Sequence, residues 1–171
     1  HTPEEFSAGA RANWAFIEAT DLRWYVIKDK NSFYPLKLCL ETAAVAIDAM
    51  LGSGARGPLE GNYLAAAAAL NSGAAPVLAV DMPSGVDGDT GQAAPGAVKA
   101  AETVTFAYGK QGLYIYPGRE LAGKVAVEDI SLPIEGEELL GNPAIWVDAE
   151  HARSLLPEVK TDSFKGSFGH V

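Results

Sequence analysis

Residues Ala75 to Gly91 read APVLAVDMPSGVDGDTG, seven residues with strand character followed by ten that cannot continue one. APVLAVD is an apolar run that ends in a carboxylate, the texture of a buried parallel strand. Pro83 has no N–H and Gly85 tolerates positive φ, so D-x-P-S-G is a sharp turn that sets the Asp81 carboxylate and the Ser84 hydroxyl on one rim. Upstream, LEGNYLAAAAALNSG predicts an Ala-rich helix closed by Asn71 to Gly73. Before it come the loop GSGARGP and AAVAIDAML, a near-continuous apolar run with Asp48 near its end, which suits a strand covered on both faces. Downstream, ETVTFAY and KVAVEDI read as two further strands.

Strand and helix therefore alternate with short connections. This predicts an α/β fold, a Rossmann-like three-layer sandwich with a mostly parallel sheet and right-handed crossovers. Ligands of such sheets bind beyond the carboxyl ends of the strands, where Asp48 and Asp81 both fall.

Toward the N-terminus, Thr2-Pro3-Glu4-Glu5 supplies a hydroxyl cap, a proline and two acids for a helix start. Phe6, Ala10, Trp14 and Ile17 then recur at helical spacing, giving one half-buried helix. LRWYVI is rich in aromatic and β-branched residues and predicts a short strand, and SFYPLKLCLETA predicts a helix. Cys39, the single cysteine, sits in that helix as a small buried residue. One cysteine excludes an internal disulfide and a Cys-based zinc site, and His1, His151 and His170 lack ligand spacing.

Twenty-two acidic against thirteen basic residues give a net charge of -9, a field that repels nucleic acid and anionic membrane surfaces. No apolar run approaches the roughly 18 residues of a membrane span. A phosphate-bearing ligand must then be held by local geometry.

Two loops offer it. Gly52, Gly54 and Gly57 spell G-x-G-x-x-G between a strand and a helix, where backbone amides and the Arg56 side chain could meet a phosphate. The same glycines would equally serve a tight turn. In the second loop, Asp81 lies at the end of the next strand, where an ordinary Rossmann fold keeps its ribose-binding acid. The Asp81 and Ser84 oxygens could act as general base, hold a ribose or replace the hydration shell of a hard cation, or could merely satisfy turn amides. Asp87 and Asp89 read as formers of a solvated turn.

Taken together, VAIDAMLGSGARGPLEG, PVLAVDMPSGVDGDTG, ETVTFAYGKQGLYIYPGRELAGKVAVEDISLP and DSFKGSFGHV resemble the NAD(P)H-hydrate epimerase family, running into the first residues of an ADP- or ATP-dependent NAD(P)H-hydrate dehydratase. The resemblance implies epimerisation of the R and S forms of hydrated NADH and NADPH (NADHX and NADPHX), acid/base chemistry with no redox cofactor. It implies potassium ligation by Asp48 and Ser84. It implies binding of the hydrated dinucleotide by Gly52, Ser53, Gly54, Ala55, Arg56, Gly57 and Pro58, and substrate contact with acid/base work by Asp81. Lys110, in FAYGKQGL, matches a lysine of the family motif and is a second candidate for catalysis.

The domain division this implies is an epimerase domain over 1–134, a linker over 135–149 and the start of a dehydratase over 150–171. ADP or ATP and Mg2+ belong to that second domain. After Pro133 the texture indeed changes to acidic and Gly/Pro punctuation, with AIWV as a short strand and a helical turn or two.

The family's Asn-Gly-Gly-Asp-type loop, which supplies another potassium ligand, has no counterpart here, and residues 1–30 resemble the family segment on the C-terminal side of that loop. The expectation is an N-terminally incomplete domain in a fragment of a longer bifunctional chain. A cytoplasmic setting and a homo-oligomer are further expectations. Two rivals stand beside this reading: an NAD(P)-dependent oxidoreductase using GSGARG as its fingerprint, which leaves DMPSG and Lys110 unexplained, and a non-catalytic dinucleotide-binding fragment.

Overall fold

Four short strands, β1 (Ala46–Asp48), β2 (Val77–Val80), β3 (Glu102–Phe106) and β4 (Lys124–Glu128), form one all-parallel sheet in the order β1-β2-β3-β4. The computed structural model describes residues 6–132, 144–157 and 161–164. It divides into two compact units, residues 1–132 and 133–171, and the sheet lies in the first.

The register explains which side chains are buried. Asp48 pairs with Ala79, Ala79 with Thr103, and Thr103 with Val125. Alternation then puts Ala46, Asp48, Val77, Ala79, Thr103 and Thr105 on one face, and all six are buried. That face carries the core: Leu40 of α2 (Tyr34–Thr42) and Ala67, Ala69 and Leu70 of α3 (Gly61–Ser72) pack with Ala46 and Val77. A second cluster, Met82, Val86, Ala97, Leu113 and Ala122, joins the loop after β2 to the 3-10 turn Gln111–Leu113 and the short helix α4 (Gly118–Ala122). Thr103 stays buried because its hydroxyl donates to the Ala122 carbonyl at 2.7 Å.

The opposite face is open by comparison. Ile47 is 61% exposed, and Leu78, Val80, Val104 and Phe106 are half-buried. The apolar run AAVAIDAML thus contributes a three-residue strand packed on one face, where composition predicted cover on both.

The N-terminal segment departs further from expectation. Helix α1 (Ala8–Glu18) is capped by the Ser7 hydroxyl, which accepts from Ala10 N, and it has no buried residue. Thr2 to Glu5, the predicted cap and first turn, lie outside the described residues. LRWYVI forms no strand; Trp24 instead meets Trp14 edge-on at 4.9 Å, and Trp14 meets Phe6 at 5.8 Å. With no neighbouring strand to pair with, its β propensity has nothing to act on. Cys39 is exposed, on the side of α2 away from Leu40 and the core.

In the second unit, α5 (Ala149–Leu155) starts at Asp148, whose carboxylate accepts from His151 N at 2.7 Å. AIWV, expected as a short strand, is assigned no strand.

The loop after β2 is pinned by the segment after β3. Gly112 N donates to the Gly88 carbonyl at 2.7 Å and Gly118 N to the Gly91 carbonyl at 2.8 Å. A Cβ on Gly112 would collide with the Asp87 carbonyl oxygen, which is backbone and cannot swing aside, whereas one on Gly54 would meet nothing within 4 Å. Gly112→Ala is therefore expected to lower unfolding free energy by about 1–3 kcal/mol or more, and Gly54→Ala to stay within about 0.5 kcal/mol of the parent, in urea denaturation of both variants.

Candidate functional site

Each strand of the buried face delivers a polar group to the carboxyl end of the sheet. Asp48 closes β1 with no exposed surface. Its Oδ2 accepts from Ser84 N at 2.8 Å and its Oδ1 from Ser84 Oγ at 2.7 Å, with Met50 N at 3.3 Å. Ser84 Oγ accepts in turn from Leu51 N at 3.1 Å. A buried carboxylate must be matched by donors or a positive charge. Here the turn after β2 supplies the donors, which is why D-x-P-S-G follows that strand.

Asp81 follows β2 directly and binds three segments. Oδ2 accepts from Ser53 N at 2.8 Å, and Oδ1 lies 2.8 Å from Lys110 Nζ and 3.3 Å from Thr105 Oγ1. Lys110 Nζ also donates to the Phe106 carbonyl at 2.7 Å. Burial, the largest single influence on the Asp81 carboxyl, pushes its pKa up; hydrogen bonds from Lys110 and Ser53 together with the lysine charge outweigh it, and the carboxyl titrates below its ordinary value.

The backbone here is strained. Asp81 has φ 69° and Met82 N reaches back to the Val80 carbonyl at 2.9 Å, a γ-turn of the rare positive-φ kind. Ala107, after β3, repeats it with φ 60° and a 2.7 Å bond from Tyr108 N to the Phe106 carbonyl. Strain of about 1–3 kcal/mol per residue persists only where surroundings impose it. These two turns aim Asp81 and Lys110 at each other.

The glycine loop serves Asp81 before it serves any ligand. A Cβ on Gly52 would stand 2.9 Å from Asp81 Oδ2, so the first glycine is required by that carboxylate's approach. Ser53 N is committed to the same oxygen, and α3 opens only at Gly61, three residues beyond Pro58. Gly52, Ala55, Arg56, Gly57 and Pro58 nevertheless line one wall of a cleft of about 320 Å³ whose other wall includes Pro83, Gly85 and Val86. Ser53 and Gly54 do not line it, and neither do Asp48, Asp81, Ser84 and Lys110, although Gly52, which faces Asp81, and Pro83, next to Ser84 in the chain, do.

Arg56 crosses the mouth. Its Nη2 sits 2.6 Å from Asp89 Oδ2, its Nε 3.5 Å from Asp87 Oδ2, and its Nη1 donates to the Ser53 and Ala55 carbonyls at 2.6 and 3.0 Å. Asp87 Oδ1 accepts from Thr90 N, Thr90 Oγ1 and Asp89 N at 2.8 to 3.0 Å. Hydrogen bonds from Thr90, its amide first, hold the Asp87 carboxyl below its ordinary value. Asp87 is thus a turn former as its sequence suggests, and with Asp89 also an arginine partner.

Sequence reasoning missed Thr105 as a contact of Asp81, although a hydroxyl at the end of the apolar strand ETVTFAY was the available signal. The Arg56 pairs had no signal, since ion pairs 31 and 33 residues apart follow no local rule.

The donor set suits a hard monovalent cation. Asp48 has about four lone-pair sites and uses three, and the Ser84 hydroxyl retains one, so each can offer an oxygen. Among the described residues no lysine or arginine pairs with Asp48, so a cation at these oxygens would meet no competing positive side chain. The described residues hold no cluster of three His, Cys, Asp or Glu side chains that could bind a metal; further ligands would be carbonyl or water oxygens.

The carboxylates make two expectations. Asp48→Asn places an amide among buried donors, and its midpoint in urea should fall by an amount worth about 1–3 kcal/mol. Because Asp81 titrates below its ordinary 3.8, its stabilisation is complete above that value and fades as pH falls through the lowered one. Melting temperature measured from pH 6 to pH 2 should therefore fall less steeply in Asp81→Asn than in the parent.

The profile of the YjeF-related protein N-terminus matches residues 1–112. The bifunctional NAD(P)H-hydrate repair enzyme Nnr of Thermofilum pendens is 42% identical over 125 residues, 73% of this chain and 23% of that protein. The enzyme of the same name from Moorella thermoacetica is 30% identical over 172 residues, 99% of this chain and 32% of that protein. The NAD(P)H-hydrate epimerase of Limosilactobacillus fermentum is 47% identical over 90 residues, 53% of this chain and 43% of that protein. The chain spans less than half the length of each of these relatives. With the profile running over both strand-end carboxylates, the glycine loop and Lys110, the chain belongs to the family of the YjeF-related protein N-terminus.

Proposed function

We propose that this chain carries the acid/base site of an NAD(P)H-hydrate epimerase, which interconverts the R and S forms of NADHX and NADPHX. The observation that carries it is the Asp81 and Lys110 pair, 2.8 Å apart beside the cleft of the glycine loop. Inverting a carbon centre by proton chemistry needs a base and an acid at one place and no redox group. Asp81 is held ionised, so it accepts a proton or anchors a polar hydrogen of the substrate, and Lys110 is the neighbouring donor. Thr105 and Ser53 fix the orientation of the carboxylate.

Dinucleotide phosphates fit the cleft mouth at Arg56 rather than the loop's first amide, which Asp81 occupies. That commitment, with the relatives' names, disfavours a redox dehydrogenase built on G-x-G-x-x-G. Asp48 and Ser84 would hold potassium, which supplies a fixed positive charge beside the substrate.

The Moorella thermoacetica relative, named a bifunctional NAD(P)H-hydrate repair enzyme and aligned over 99% of this chain, supports a second part beyond the epimerase: a linker at 135–149 and, over 150–171, the start of an ADP- or ATP-dependent dehydratase that would use Mg2+. The epimerase part is residues 1–134. No helix among the described residues is long and apolar enough to cross a membrane.

Chiral chromatography of NADHX and NADPHX incubated with the protein should show R and S interconverting faster than in buffer, and Asp81→Asn should lose about 10²–10⁴ of that acceleration. An Asp81→Asn protein as fast as the parent removes Asp81 from the mechanism. No acceleration by the parent removes the epimerase reading. For the cation, melting temperature in KCl should exceed that in choline chloride at equal ionic strength, by an amount that grows with concentration and vanishes in Ser84→Ala; equal temperatures in the two salts count against it.

A further inference from the structure

Arg56 is the one cationic side chain among the described residues that line the cleft, and it is already neutralised. All three of its nitrogens are engaged, two of them by the carboxylates of Asp87 and Asp89. In a chain of net charge -9, a phosphate entering this cleft has Arg56 as its nearest attraction and two acids as rivals for it.

The rivals differ. Asp87 spends its Oδ1 on three donors of its own turn, and that turn is fixed from beneath by Gly112 and Gly118. Asp89 is 76% exposed and its carboxylate meets Arg56, itself half exposed. Such a pair is weak and exchangeable. A carboxylate and a tetrahedral phosphate each also offer the guanidinium two oxygens that accept a pair of parallel N–H bonds.

Resting on the dinucleotide reading of the cleft, we propose that Asp89 is an internal stand-in for a ligand phosphate: it holds Arg56 across the cleft mouth until the pyrophosphate of a dinucleotide replaces it. The exchange is a swap of side-chain partners, since the backbone of the Asp87 turn stays pinned. Asp89 is thereby a specificity residue. It lowers the apparent affinity of every phosphate-bearing ligand by the fraction of time Arg56 is occupied, and leaves phosphate-free ligands untouched.

Calorimetric titration of the chain with ADP-ribose, which carries the pyrophosphate, and with adenosine, which does not, tests this. Asp89→Asn should bind ADP-ribose about two- to fivefold more tightly than the parent, the range an exposed pair allows, with no change toward adenosine. Arg56→Gln should weaken ADP-ribose, and adding Asp89→Asn to Arg56→Gln should restore nothing. Unchanged or weaker ADP-ribose binding by Asp89→Asn overturns the proposal while leaving the dinucleotide reading intact. So does a gain that survives in Arg56→Gln, because it would come from the general field. If neither parent nor Asp89→Asn binds ADP-ribose, the dinucleotide reading fails and takes the stand-in role with it.

Discussion

The carboxylate of Asp81 ties together the carboxyl end of the sheet. Three segments, the glycine loop through Ser53, β3 through Thr105 and the following loop through Lys110, meet on its two oxygens. Parallel strands release their loops on one side, and each loop brings amides that need partners. Asp48 repeats the arrangement one strand away, holding the turn of Ser84. From Asp48 to Ser53 the chain is laced to the segment from Asp81 to Ser84, so the two carboxylates that the proposed chemistry would use are also the ones that hold the loops.

That double duty explains the order of constraints. Gly52 is small because Asp81 Oδ2 needs the space, and Gly112 is small because the Asp87 carbonyl does. The cleft is what remains between two loops whose backbones were fixed for other reasons. Its walls include the apolar Leu51, Pro58, Pro83 and Val86, and its one cationic side chain among the described lining residues, Arg56, is held by two acids.

How far this was legible in the sequence depends on the range of each interaction. The four strands, α2 and α3 were readable because apolar runs and Gly/Pro punctuation are local. The D-x-P-S-G turn was readable too, but its side chains part company: the Ser84 hydroxyl donates to Asp48, while the Asp81 carboxylate meets Ser53, Thr105 and Lys110. LRWYVI misled because strand propensity is a preference for a neighbouring strand, and residues 22–27 form none; the Trp24 ring meets Trp14 edge-on instead. AIWV is likewise assigned no strand. The depth of burial of AAVAIDAML was misjudged because composition does not distinguish a strand covered on one face from one covered on both. Thr105 and the acids on Arg56 depend on contacts 24 to 33 residues apart, which register and loop packing decide.

The positive φ of Asp81 filters residues at that position before chemistry does. Left-handed backbone at 69° is tolerated by asparagine and aspartate and resisted by alanine, glutamate and every β-branched side chain. A sequence drifting at this position has few destinations that keep the turn, and one of them, asparagine, keeps the shape while deleting the charge. A homologue carrying asparagine there would keep the turn's backbone while giving up the ion pair to Lys110, so the turn and the charge can be lost separately.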